Sequence, residues 1–143
     1  MDPPASPTPP SWTVLYDADC GFCRWSLALL LSTDRRRVLR PLALGTPEAD
    51  ELLWDLTPEQ REGSWHLVAP GGRRESAGDA APTLLALLPG GRLPAAVLAA
   101  APKLTNRAYY WVAAHRSQLS RVVPSGAKRR ASARIEQRAA DFR

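Results

Sequence analysis

The chain contains two cysteines, and they stand three positions apart in the motif Cys20-Gly21-Phe22-Cys23. Two thiols at this spacing can open and close as a disulfide. An apolar run precedes the motif and a helical pattern follows it, which places the first sulfur at a helix N-terminus. Backbone N–H groups and the helix dipole stabilise a thiolate there, and the thiolate is the reactive species. We therefore predict that Cys20 attacks a substrate sulfur and that Cys23 resolves the mixed disulfide.

Two carboxylates lie just upstream of the motif, and ionised carboxylates act against a nearby thiolate. We predict that Asp19 caps the helix that begins near Cys20. Asp17, at the end of the preceding apolar run, is the candidate proton acceptor for the resolving thiol. Trp25 is the residue best placed to shape access. We assign substrate access to the side chains that surround the motif: Asp19, Phe22, Arg24 and Trp25.

The elements that must position the motif follow from hydrophobic periodicity and turn residues. Pro41 predicts the end of the second strand, because proline removes a ladder donor. The predicted strands are 12–16, 38–42, 65–69 and 74–76, the last two joined by the turn Pro70-Gly71-Gly72-Arg73. The predicted helices are 20–33, 47–56, 78–88, 93–101 and 104–122. This order predicts an α/β fold with a small central mixed sheet flanked by helices, and extra helices at the C-terminal end.

Length and composition favour one domain with two tails. Residues 1–11 contain five prolines and no apolar run, so we predict a disordered leader without the features of a secretory signal. Residues 12–121 form the predicted domain. Residues 121–143 hold seven basic and two acidic side chains, an excess equal to the net charge of +5 of the chain, and the predicted tail is 122–143. We interpret them as a solvated basic tail; a weak, salt-sensitive contact with an anionic membrane or nucleic acid is the alternative.

The segment Leu15-Tyr16-Asp17-Ala18-Asp19-Cys20-Gly21-Phe22-Cys23-Arg24 resembles the signature of the DCC family of thiol-disulfide oxidoreductases, named for an Asp-x-x-Cys-x-x-Cys motif. Here that motif is Asp17, Cys20 and Cys23. The likeness extends through 66–73, 78–80 and 108–116, and it covers most of residues 12–120. It implies a thioredoxin-like fold and dithiol exchange, with a thiol or disulfide as substrate and an external electron donor or acceptor.

The sequence departs at two places from the patterns of the proteins it resembles. Ala18 stands where the family commonly has glycine. Thioredoxins place a cis-proline opposite the CxxC motif and dock substrate peptides on it, whereas this chain has Glu62-Gly63-Ser64-Trp65 there. Without that proline, we expect a small thiol or one dedicated partner rather than general docking of extended polypeptides.

Three other interpretations of the cysteine pair stay open, and one of them is a purely structural pair of buried cysteines. The pair could be half of a zinc site completed by His66 and His115, although a second paired-ligand motif is missing. Alternatively, the chain is a non-catalytic binding or redox-sensing module that uses its late helices and basic tail.

We predict that the protein uses no cofactor and no metal. We predict no transmembrane segment and, without a targeting signal, a cytoplasmic protein.

Overall fold

The sheet is built around its first strand, β1 (Trp12–Tyr16). β1 pairs in parallel with β2 (Leu39–Ala43) and antiparallel with β3 (His66–Val68). β3 forms a hairpin with β4 (Arg74–Ser76), which gives the strand order β2-β1-β3-β4. The computed structural model describes residues 11–142, so the predicted leader lies, except for Ser11, outside the described residues.

Eight α-helices and one short 3-10 turn, Ala77–Asp79, accompany the sheet in residues 11–142. They are α1 (Gly21–Thr33), α2 (Pro47–Leu52), α3 (Pro58–Glu62), α4 (Ala80–Leu87), α5 (Arg92–Ala100), α6 (Pro102–Ala114), α7 (Arg116–Val122) and α8 (Ser125–Ala140). None of these helices combines the length and apolar character that a bilayer-spanning segment requires. The arrangement is the predicted mixed α/β fold, and it is consistent with a thioredoxin-like architecture.

Both faces of the sheet are covered, so successive residues of β1 enter different cores. Val14 is paired with Leu67 on one face, where both pack beneath α1, α4 and α8. Leu15 is paired with His66 on the other face, where Leu15 packs against α2 and the residues that follow it. The dithiol helix α1 therefore lies on the Val14 face.

Strand β2 runs through the proline that was predicted to end it. Pro41 lies in the middle of β2 and is paired with Val14. β2 is an edge strand, and a missing backbone donor is tolerated on an edge. The prediction of a strand end at Pro41 is therefore wrong.

One predicted helix is shorter in the structure and is followed by a separate helix that was not predicted, and another predicted helix is divided. The helix predicted over 47–56 ends at Leu52, and α3 begins after Thr57, whose hydroxyl caps Gln60 in a capping box. The helix predicted over 104–122 is interrupted at His115, the residue between α6 and α7. The His115 ring hydrogen-bonds to the carbonyl oxygen of Trp111 at 2.7 Å. The side chain thus competes with the backbone for an acceptor of the helix.

The prediction of a solvated C-terminal tail is also wrong. Ser125–Ala140 form α8, which packs along α1 and places Ile135 in the main core. Arg138 is buried, and its guanidinium lies 2.7 Å from a carboxylate oxygen of Asp34 at the C-terminal end of α1. Asp34 also accepts the amide of Leu39, at 2.9 Å. The few apolar residues of this segment align on one helical face, which is sufficient for docking.

Candidate redox site

The motif lies where the loop after β1 enters α1, and Cys20 is the N-cap residue of that helix. Its Sγ accepts the backbone N–H of Cys23 at 3.2 Å. The prediction that Asp19 caps the helix is therefore wrong, because the side chain of Cys20 is the cap. Asp19 is exposed, and its own amide donates to Asp17 at 2.9 Å. The sulfur of Cys20 thus lies at the N-terminus of α1, where it accepts a backbone N–H of the first helical turn.

Cys23 lies one turn further along α1 and is half-buried, and both cysteines are free thiols. Burial is the largest cause that raises the pKa of the Cys23 thiol well above its ordinary value. A hydrogen bond with Cys20 raises this pKa further, whereas the positive charge of Arg116 lowers it. Cys23 is therefore a protonated thiol at neutral pH, and it needs a proton acceptor before it can act as a nucleophile.

Asp17 and Arg116 form an ion pair beside the dithiol, with 3.4 Å between carboxylate oxygen and guanidinium nitrogen. The Asp17 charge is close enough to raise the pKa of Cys23, in opposition to Arg116. The structure thus brings Asp17, Cys20 and Cys23 together, as the motif predicts. It adds Arg116, the first residue of α7.

A cavity of about 290 Å³ opens next to Cys23. Its polar end is formed by Cys23, Asp17 and Arg116, whereas Cys20 does not line it. Most of its wall is aliphatic or aromatic and comes from β1, α1, α4, α6 and the segment before β3: Val14, Leu27, Leu30, Trp65, Leu84 and Val112. Cys23 therefore faces an apolar chamber.

The segment before β3 lies against this chamber without a cis peptide bond, as is the case throughout residues 11–142. Gly63, Ser64 and Trp65 line the cavity. The backbone N–H of Trp65 donates to the hydroxyl of Tyr109 on α6, at 3.0 Å. Burial raises the pKa of Tyr109 to about 12, so its hydroxyl stays protonated. A helix side chain thus occupies the backbone donor of Trp65, a residue that lines the same cavity as Cys23.

The predicted access residues lie in different places. Phe22 lines the cavity, and its ring centroid lies 5.9 Å from that of Trp25. Trp25 itself faces a groove between α1 and α8. Arg24 folds back onto the loop and donates to the carbonyl oxygen of Ala18. Of the four residues assigned to access, Phe22 has the most direct contact with the chamber.

The two histidines of the zinc alternative do not approach the cysteines. His66 is buried on the opposite sheet face, where its ring nitrogens contact Ser76 Oγ at 2.6 Å and the Arg61 carbonyl oxygen at 3.0 Å. His115 is stacked on Trp111, with 4.3 Å between ring centroids. Within residues 11–142, no group of three or more histidine, cysteine or acidic side chains is arranged to hold a metal ion. This geometry contradicts the zinc interpretation.

A comparison with protein-family models matches residues 14–122 to the DCC1-like thiol-disulfide oxidoreductase family. The chain belongs to the DCC1-like family. This match confirms the resemblance seen in the sequence, and it implies thiol or disulfide substrates. It includes the dithiol and every residue that lines the cavity, and it ends before α8. Searches of curated proteins and of solved structures found no match.

Sequence reasoning missed several residues of this DCC1-like site. Tyr109, Val112, Ala113 and Arg116 all line the cavity. Their spacing of i, i+3, i+4 and i+7 is that of one helical face, which was the available signal. Ser120 accepts the amide of Phe22 at 2.9 Å, a contact across 98 positions that no local pattern indicates.

Proposed function

We propose that this protein exchanges thiols and disulfides with Cys20 as the attacking sulfur, Cys23 as the resolving sulfur and Asp17 as the proton acceptor. One observation carries the proposal: the Cys20 sulfur caps α1 and accepts the Cys23 amide, while the Cys23 thiol lies beside it and is half-buried. The N-cap sulfur and the protonated inner thiol are suited to different steps.

In the first step, the Cys20 thiolate attacks one sulfur of a disulfide and displaces the other as a thiolate. In the second step, Cys23 gives its proton to Asp17 and attacks the Cys20 sulfur, which releases the second substrate thiolate. The dithiol loses two electrons and the substrate disulfide gains them. The same steps run in reverse when the protein starts as the disulfide.

Three features support separate roles for the two cysteines. Burial keeps Cys23 protonated until a base acts, because the largest cause of its raised pKa does not depend on the state of Cys20. Asp17 is coupled to Cys23 electrostatically and is partly exposed, so it can release a proton to water. Arg116 pairs with Asp17, and its positive charge stabilises the negative charge that develops on the Cys23 sulfur.

The test is the reaction of the reduced protein with one equivalent of bis(2-hydroxyethyl) disulfide, followed by intact mass spectrometry. We expect the mass to fall by two hydrogen atoms, with no remaining adduct and with two equivalents of 2-mercaptoethanol released. Cys23→Ser should instead keep one mercaptoethanol adduct. A stable mercaptoethanol adduct on the wild-type protein, without loss of two hydrogen atoms, would contradict the proposal.

A further inference from the structure

The cavity beside Cys23 indicates the kind of molecule on which the dithiol acts. Its volume of about 290 Å³ is roughly twice that of an apolar cavity of about 150 Å³ that binds one benzene ring. It lies near the lower end of the range of small-molecule pockets, about 300–1,000 Å³. The space therefore suits an organic group of one or two rings.

The chamber has a polar end and an apolar body. Asp17 and Arg116 neutralise each other at the polar end, so neither offers an unpaired charge to a charged substrate. Cys23 lies at the same end. The Cys20 and Cys23 side chains are hydrogen-bonded to each other, so a substrate sulfur bonded to Cys20 lies beside Cys23 and its carbon groups can extend among Leu84 and Val112. Uncharged apolar groups gain most from such a wall.

An extended peptide is a poor match for this site. Binding by strand addition requires free backbone donors next to the dithiol. The amide of Trp65 is already held by Tyr109 at 3.0 Å. The Trp65 and Tyr109 rings also lie close together, with 6.5 Å between their centroids, and both line the chamber.

We infer that the substrate is a small, uncharged disulfide with apolar organic groups, or the corresponding thiols, and that one such group occupies the cavity during exchange. This inference rests on the proposed function. For a disulfide RSSR, the Cys20 thiolate and the Cys23 thiol yield the protein disulfide, one RS⁻ and one RSH. Two electrons pass to the substrate, and dithiothreitol restores the protein dithiol between turnovers.

The kinetic test compares dibenzyl disulfide with bis(2-hydroxyethyl) disulfide, an uncharged but polar disulfide. We expect kcat/KM to favour dibenzyl disulfide by at least about tenfold after correction for the direct reaction with dithiothreitol. Ala113 lines the cavity on α6, so Ala113→Phe should fill the chamber and lower the dibenzyl rate by about tenfold or more. The neighbouring Ala114 is exposed, and Ala114→Phe should stay within about twofold of wild type.

A binding test separates the cavity from the chemistry. We would titrate the wild-type chain and a Cys20→Ser/Cys23→Ser chain with 1,4-diphenylbutane, which has the shape of dibenzyl disulfide and no sulfur. Methyl NMR shifts at Leu27, Leu84 and Val112 in both chains would support the cavity inference. This measurement does not depend on whether Ala113→Phe folds.

The outcomes distinguish the two proposals. Binding without oxidation of the dithiol by either disulfide would overturn the proposed function and leave the apolar cavity standing. Oxidation of the dithiol by both disulfides at equal rates, with no methyl shifts, would overturn the cavity inference and leave dithiol exchange standing.

Discussion

The guanidinium of Arg116, at the first residue of α7, lies 3.4 Å from the carboxylate of Asp17 in the loop after β1. This pair joins the cysteine motif to the C-terminal helices. The two charges act on Cys23 in opposite directions, since Arg116 lowers the pKa of the thiol and Asp17 raises it. The reactivity of the inner thiol therefore depends on residues that lie far apart in the sequence.

Removal of the Arg116 charge should slow the resolving step. Without that charge, the pKa of Cys23 rises further and its thiolate fraction falls at neutral pH. We expect Arg116→Gln to lower the rate of mixed-disulfide resolution by roughly threefold to tenfold, because one pKa unit changes the thiolate fraction about tenfold. Stopped-flow mass analysis of the adduct measures this rate. Arg121→Gln, an exposed change on the same helix, is the control and should leave it unchanged.

Substitution of Asp17 separates its two effects on Cys23. Loss of the carboxylate charge lowers the pKa of the thiol, which alone would speed resolution. Loss of the proton acceptor slows resolution. The expected decrease is about a hundredfold, the lower end of the range that general base catalysis typically contributes. We expect Asp17→Asn to slow resolution and to make its rate rise steeply between about pH 7 and 9. Faster resolution in this variant would show that Asp17 acts through its charge alone. Glu51→Gln, on exposed α2 surface, is the matched control.

The buried His66 ring makes stability sensitive to acid. Burial is the main cause that lowers the pKa of His66, so the folded state favours the neutral ring. The unfolded state takes up the proton near pH 6.5, so this stabilisation is present above that pH and is lost on acidification. The free energy of unfolding in urea should fall between about pH 7 and 5, by at most about 1.4 kcal/mol per pH unit from this group. The slope should be smaller for His66→Gln; equal slopes would contradict the assignment.

The buried pair of Asp34 and Arg138 should hold α8 on the domain. Asp34 is fully buried and Arg138 nearly so, and Arg138 also donates to the carbonyl oxygens of Leu31 and Leu39. Loss of one partner leaves a buried charge, which typically costs about 3–5 kcal/mol. We expect Arg138→Met to lower the unfolding free energy by that amount, measured by urea denaturation. Arg134→Met, an exposed change on the same helix, should cost less than about 0.5 kcal/mol.

The local patterns of the sequence predict much of this fold. β1, the hairpin of β3 and β4, and the helix after the motif follow from short apolar runs and turn residues. The grouping of the dithiol with Asp17 is also predicted from the sequence, because all three residues lie within the short segment 17–23. Their proximity needs no long-range contact.

The remainder depends on contacts between distant segments. The C-terminal segment has few large apolar side chains, yet it forms α8 and packs on the domain because Ile135 and Arg138 have buried partners on α1 and at its end. The composition of the segment does not indicate these partners. The N-cap role of Cys20 depends on sulfur geometry, whereas capping preferences favour Asp19. The cavity exists because α6 returns to the loop before β3, a relationship set by tertiary packing.

The site of adduct formation in single-cysteine variants tests the central claim most directly. Reduced Cys23→Ser and Cys20→Ser chains would each react with the same small disulfide at about pH 7, and peptide mass mapping would follow the adduct over time. We predict rapid formation of a stable adduct on Cys20 in Cys23→Ser, and slow reaction of Cys23 in Cys20→Ser, because burial keeps the Cys23 thiol protonated. Equal rates, or faster reaction at Cys23, would contradict the assignment of the attacking and resolving sulfurs.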